Sequence, residues 1–173
     1  MNVLSLDIST ASTGWCVTKD GSLFTIGTIP ISTKLDNYER LAIFAFNLIS
    51  LLNTYKPRYV VQEDIFSGKN VKTMKLLCEF AGVSKYLCYN VLGVVPYIIS
   101  NKTVKAYFKA QDKQILFDFI CVLFEKSLSF KKDNDMIDAL AQMMCFTDKV
   151  LDIYSYRLEK EYGYIYNGGY IGG

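Results

Sequence analysis

The sequence predicts an α/β fold: a mixed five-stranded sheet, three antiparallel strands followed by β/α units, with helices on both faces. Three observations carry this expectation. The chain opens with three β-rich segments in quick succession, two further short β-branched runs follow between helical periodicities, and the C-terminal half reads as helical. Residues 2–8 alternate and read as a buried strand. Residues 13–19 and 22–29 read as two more, joined by Asp20-Gly21, a strong hairpin signal. Pro30 and the polar stretch to Lys34 form a link. From Asp36 to about Tyr55, Leu41, Phe44, Leu48 and Leu51 or Leu52 recur at helical spacing, and Pro57 stops that helix. Residues 58–63 form a short β-branched strand that needs burial on both faces and therefore a central, parallel place.

Asp64 to Asn70 reads as a loop and Val71 to about Tyr89 as a second helix. Residues 93–99 make a fifth strand, put near an edge by Pro96. A lysine-bearing segment follows, then a helix from about Asp112 to Glu125, and a last helix that begins near Asn134 and runs into the 140s. A chain of 173 residues suits one domain, expected over 1–155, with residues 156–173 a flexible tail rich in Tyr and Gly.

Composition narrows the chemistry. Hydrophobic residues make up 51%, yet no apolar stretch reaches the ~18 residues of a membrane span. No leader pattern opens the chain, so a soluble cytoplasmic protein is expected, without a membrane partner. The five cysteines are scattered and never form a C-x-x-C pair, which favours buried reduced thiols over disulfides or zinc. Histidine is absent, which removes Ser-His-Asp and Cys-His schemes and most zinc chemistry. The net charge of +2 is small, but between Lys69 and Lys113 eight lysines face two acids. A local basic tract of this kind is the footprint of a phosphate-binding face.

Four acids stand in three local contexts. Asp7 ends the run Leu4-Ser5-Leu6, Glu63 ends Tyr59-Val60-Val61-Gln62, and Asp135 and Asp138 are three apart in a helical segment. A carboxylate that finishes a buried strand is costly unless paired or metal-bound. Asp64 rivals Glu63, because adjacent strand residues alternate sides and one alone can face inward with Asp7. Asn134 or Asp133 could cap the last helix and Asp135 could complement its dipole, which leaves Asp138, one turn on, unexplained. Hard oxygen ligands so placed suit Mg²⁺ or Mn²⁺ and fit two-metal phosphodiester cleavage.

Leu-Ser-Leu-Asp7 with Thr13-Gly14, then Glu63-Asp64-Ile65-Phe66-Ser67-Gly68-Lys69-Asn70, then Asp135-x-x-Asp138-Ala-Leu-Ala, resembles the RuvC family of Holliday junction resolvases over about residues 1–147. The resemblance implies an RNase H-like fold, a homodimer, and nicking of branched DNA: four-way junctions, with three-way and flap structures admitted. Asp7, Glu63, Asp135 and Asp138 would hold two Mg²⁺ or Mn²⁺ ions. Phe66 would stack on bases at the junction centre. Lys105 and Lys113 would lie near the scissile phosphate, Lys113 with a catalytic role. Lys69, Lys72, Lys75 and Lys109 would join them in binding DNA. Departures stand in the loops: Ile8 and Ser9 replace the family's Pro-Gly, and the Lys105–Lys113 stretch is short and lacks glycines. Small size, divergent loops and richness in Asn, Lys, Ile and Tyr suggest a phage- or virus-encoded member, active in the cytoplasm of a host cell. The second helix, with Leu76, Leu77 and Phe80 beside its lysines, is the expected dimer contact. Two alternatives share parts of the pattern, a nuclease of the same sheet order acting on RNA and an actin-like nucleotide-binding fold. The second needs another glycine-rich phosphate loop that the chain lacks.

Overall fold

The computed structural model describes residues 1–20, 22–65, 70–110, 112–123 and 129–151. Alternation gives the first strand, β1 (Asn2–Asp7), two buried faces: Leu4 and Leu6 join one apolar cluster and Val3 the other. Ser5 and Asp7 therefore share the side of Val3. β2 (Ser12–Lys19) pairs antiparallel with β1, and β3 (Ser22–Pro30) antiparallel with β2. Asp20 takes a left-handed φ of 52° at the β2–β3 hairpin, while Gly21 lies outside the described residues. β4 (Tyr59–Glu63) lies parallel to β1, and β5 (Tyr97–Ile99) parallel to β4, so the sheet order is β3-β2-β1-β4-β5. The expected central place of the fourth strand and edge place of the fifth are both found.

α1 (Asn37–Tyr55) starts on a capping box in which Asp36 and Glu39 satisfy each other's backbone N–H groups. Phe44, Leu48 and Leu52 form its buried stripe, which selects Leu52 over Leu51. α2 (Val71–Leu92) is capped by Asn70, whose side chain accepts from the N–H groups of Lys72 and Thr73. It runs three residues past the expected Tyr89 and ends on Gly93, whose φ of 67° makes it the left-handed C-cap. Residues 93–96 are consumed in leaving that helix, so the fifth strand shortens to three residues.

The lysine-bearing segment is itself a helix, α3 (Asn101–Phe108), capped by Ser100. α4 (Lys113–Leu123) follows, its first turn secured by Asp112 accepting from the Ile115 N–H. The last helix, α5 (Phe130–Lys149), begins four residues earlier than the sequence suggests. Ser129 is its N-cap, and the Asp133 carboxylate accepts from the Ser129 N–H at 2.8 Å. Asn134 is thus no cap, and Asp135 stands beyond the first turn, where neither capping nor the helix dipole accounts for it.

α1 and α2 cover one face of the sheet; α5, backed by α3 and α4, covers the other. From Ala139 to Phe146 every residue of α5 is buried, since strands lie beneath it and two helices flank it. Each such large apolar side chain contributes about 1.5–3 kcal/mol on burial. Leu76 and Phe80 of α2 also belong to the chain's own core. Phe80 packs on Phe44 of α1 with ring centroids 5.0 Å apart, and Leu77 is partly buried. Leu76 and Phe80 are therefore spoken for within one chain, whereas Leu77 keeps part of its surface exposed. All five cysteines are free; Cys16, Cys88 and Cys145 are buried, whereas Cys78 is exposed. No described helix is long and apolar enough to cross a membrane. The expected domain boundary near 155 and the tail of 156–173 lie outside the described residues.

Candidate active site

β1 and β4 run side by side in the same direction, and each ends on an acid. Their pairing continues to Leu6 beside Gln62, so Asp7 and Glu63 come next on the two strands. The carboxyls of Asp7 and Glu63 lie within hydrogen-bonding reach of each other. Asp64, the rival of Glu63, is exposed and uses its N–H to hold the Ile99 carbonyl of β5. The turn after Asp7 is tied down locally: the Thr13 hydroxyl donates to the Ser9 carbonyl, and buried Arg40 of α1 donates to the Thr10 carbonyl at 2.5 Å.

α5 crosses this sheet end. On β2, Gly14 is the register partner of Asp7, and a Cβ there would meet the backbone of Asp135 and Met136. The absence of a side chain at Gly14 is what lets α5 lie this close. Asp138 then lines a cleft with Glu63, Asn101, Lys105, Lys113 and Gln142. The Lys113 ammonium of α4 sits 2.5 Å from Asp138 Oδ2. Gln142, one turn further along α5, donates from Nε2 to Asp7 Oδ1 at 3.4 Å.

The electrostatics agree on one sign. Burial lifts the Asp7 carboxyl well above the ordinary carboxylate range, and the charges of Glu63 and Asp138 push it the same way. Burial also raises Asp138; its Lys113 partner lowers it, and Glu63 and Asp135 raise it further. Burial alone would lower Lys113, but Asp138, then Asp7 and Glu63, hold its pKa above the ordinary lysine value. Burial is the first cause of both carboxyl shifts, and several acids around the single ammonium of Lys113 add to it at Asp7, so this sheet end favours an added cation or proton.

A pH dependence follows for the protein without divalent cations. Stability drawn from raised carboxyls is fully present below their unfolded pKa, about 4, and is lost as pH rises through the folded values. The raised Lys113 contributes constantly until the alkaline range. In EDTA the Tm is therefore expected to fall as pH climbs from about 5 towards 8. Differential scanning fluorimetry across that range checks it; a Tm that rises steadily would contradict the charge excess.

Of the residues singled out from sequence, Asp7, Glu63, Asp138, Lys105 and Lys113 come together here. Asp135 stands at the margin, over Gly14 and within electrostatic range of Asp138. Among the described residues no three acids already close around a single point as a formed cation site, and Asp138 has Lys113 as its counter-charge. The donor set still fits a hard divalent cation: every donor is a carboxylate oxygen, and the local charge excess is negative. Lys72 and Lys75 are exposed on the first turns of α2, and Lys109 is exposed at the end of α3; none of them lines the cleft. Phe66 and Lys69 lie outside the described residues. Gln142 and Asn101 were not singled out from sequence. Gln142 left a signal, a polar residue at i+4 from Asp138 on an otherwise apolar helix face.

The profile of the family described as "Crossover junction endodeoxyribonuclease RuvC" matches residues 3–146. A crossover junction endodeoxyribonuclease RuvC of Ehrlichia ruminantium (strain Welgevonden) is 31% identical, over 84% of this chain and 95% of the relative. That of Caldicellulosiruptor saccharolyticus is 32% identical, over 84% of this chain and 91% of the relative. Among solved structures, Thermus thermophilus RuvC in complex with Holliday junction substrate superposes with a TM-score of 0.73 at 16% identity, covering 91% of this chain and 96% of that one. The yeast mitochondrial Holliday junction resolvase superposes with a TM-score of 0.62 at 12% identity, covering 90% of this chain and 82% of that one.

Proposed function

Because the chain belongs to the RuvC family of crossover junction endodeoxyribonucleases, we propose that it nicks branched DNA, four-way junctions foremost, in a reaction dependent on divalent cations. The observation that carries this reading is the convergence of carboxylates from β1, β4 and α5 at one sheet end, where Glu63 and Asp138 line a cleft with Lys105 and Lys113 and Asp7 lies buried beside them. Asp7, Glu63, Asp135 and Asp138 are the proposed ligands of two Mg²⁺ or Mn²⁺ ions. When bound, such cations polarise the phosphate, lower the pKa of water and offset charge on the leaving oxygen.

The chain's own groups do the rest. The buried carboxylate of Asp7 and the half-buried one of Glu63 fix donor positions on rigid strand ends, which holds the reacting groups without loop motion. Lys105 and Lys113 reach the same cleft and can donate to phosphate oxygens as charge develops there. Water attacks phosphorus, the bond to the 3′ oxygen breaks, and the ends left are a 5′-phosphate and a 3′-hydroxyl. Phe66 is proposed to stack on a base at the junction, and Lys69, Lys72, Lys75 and Lys109 to bind flanking phosphates.

Lys113 has two partners to serve, Asp138 and phosphate. Lys113→Met is expected to leave divalent-cation affinity equal or higher, since a competing ammonium is gone, while kcat falls about 10²- to 10³-fold. Single-turnover cleavage beside a Mn²⁺ titration separates the two effects; a loss confined to cation binding would reassign the residue.

Paired nicks require two sites, and a C2 homodimer supplies them. With Leu76 and Phe80 committed to the core, the exposed side of α2 offers Tyr86 and Tyr89, at 64% and 66% exposure, one turn apart. Tyr86→Asp combined with Tyr89→Asp is expected to convert a dimer to a monomer in sedimentation velocity; an unchanged dimer places the interface elsewhere.

The whole reading is tested by cleavage of end-labelled four-way, three-way, flap and linear DNAs with Mg²⁺ or Mn²⁺. Metal-dependent cutting of branched substrates supports it. No cutting of any DNA, with cutting of RNA instead, overturns it.

A further inference from the structure

We propose that Gln142 is a positioning residue for Asp7, its side-chain amide fixing the rotation of the carboxylate and thereby which oxygen faces the cation. This rests on the reading of Asp7 as a cation ligand. Gln142 is 3% exposed and sits on α5 among Ala139, Leu140, Ala141, Met143 and Met144, where an apolar residue would pack as well. Its Nε2 lies 3.4 Å from Asp7 Oδ1, and its buried Oε1 has no hydrogen-bond partner. A buried, unpartnered carbonyl is a cost to stability, so packing does not explain the amide. With Asp7 ionised, as a cation ligand must be, Oε1 turned the other way would face a carboxylate oxygen, acceptor against acceptor; the NH₂ group therefore belongs on Asp7. The contact is long, as hydrogen bonds at such sites often are before ligands bind. Gln142 also lines the cleft of Glu63, Lys113 and Asp138, one helical turn from Asp138, so it acts from inside the site. Ligating side chains held by a hydrogen bond from behind lose about 10- to 100-fold in metal affinity when that partner is removed.

The test titrates Mn²⁺ into the full chain, following free Mn²⁺ by electron paramagnetic resonance, for wild type, Gln142→Met and Gln142→Asn. Methionine keeps the length without the donor; asparagine keeps the amide but is one methylene short. Both variants are expected to bind Mn²⁺ about 10- to 100-fold more weakly. In EDTA the Tm of Gln142→Met should stay close to that of wild type, because loss of the unpartnered oxygen offsets loss of the donor to Asp7. Wild-type affinity in either folded variant overturns the inference, as does a lowered Tm in EDTA with Mn²⁺ affinity unchanged. Wild type that binds no Mn²⁺ instead overturns the ligand reading of Asp7 and this inference with it.

Discussion

Asp7→Asn is expected to abolish cleavage of branched DNA while raising the Tm of the cation-free protein. The two effects have one cause. Asp7 is buried, beside Glu63 and within range of Asp138, and its own burial is the largest influence lifting its pKa. Asparagine keeps the shape, removes the desolvated charge, and gives Glu63 a donor in place of a like charge. Relief of that repulsion should stabilise the protein by about 1 kcal/mol, or roughly 2–4 °C for a chain of this size. The same change takes away one anionic oxygen ligand at the end of β1. Losing several kcal/mol of transition-state stabilisation amounts to at least about a 10³-fold drop in rate. DNA binding should survive if, as proposed, the exposed Lys72, Lys75 and Lys109 carry it. Cleavage gels, mobility shifts and melting in EDTA measure all three. Normal cutting by the variant would remove Asp7 from the site; a lowered Tm would show that its charge is balanced by groups other than those described.

The β2–β3 hairpin was legible because Asp20-Gly21 is a strong turn signal between two β-rich runs, and Asp20 adopts the left-handed φ such a turn needs. The central β4 was legible from Tyr59-Val60-Val61, a short apolar run without alternation that suits burial on both faces. Helix ends were less so. Asn134 or Asp133 reads as a cap, but α5 starts at Phe130, using a Ser129 cap whose hydroxyl makes no capping bond and an Asp133 that reaches backward. α3 went unread as a helix because eight residues that bury only Val104 hold too little periodicity. The two acids on α5 gain weight from this revision: with the helix starting earlier, a terminal role no longer competes for Asp135.

Side-chain partners were harder still. Leu76 and Phe80 were apolar and helical, and periodicity cannot say whether such a stripe meets its own sheet or a second chain; Phe44 on α1 answers it. Glu63 and Asp64 could be separated in principle by alternation, and the exposure of Asp64 decides between them. Asn101 on α3 gave no sign, since its place in the cleft depends on how α3 packs against α5.

The largest structural penalty should come from Gly14→Ala. Gly14 pairs with Asp7 across β1 and β2, and an added Cβ would lie 2.8 Å from the Met136 nitrogen, with the Asp135 carbonyl carbon and oxygen nearer still. Ordinary carbon contacts are about 3.5–4.0 Å. Every atom in the way is helix backbone, so no rotamer change can clear the space; α5 must move off the sheet by more than about 1 Å, and Asp135 and Asp138 go with it. Overpacking of this kind costs about 1–3 kcal/mol and occasionally more, so a fall in Tm of roughly 2–12 °C is expected. A displacement of about 1 Å at reacting groups costs on the order of 10²-fold in rate, even in molecules that stay folded. The rate should therefore be measured well below the lower Tm, where stability loss does not contribute. A variant with unchanged Tm and a rate within about threefold of wild type would mean that α5 slides freely over β2. Thr13-Gly14 drew notice as part of a family pattern, and the geometry gives this glycine its task. It leaves room at the one point where a helix backbone must touch the sheet, and through that contact the acids of α5 reach those of β1 and β4.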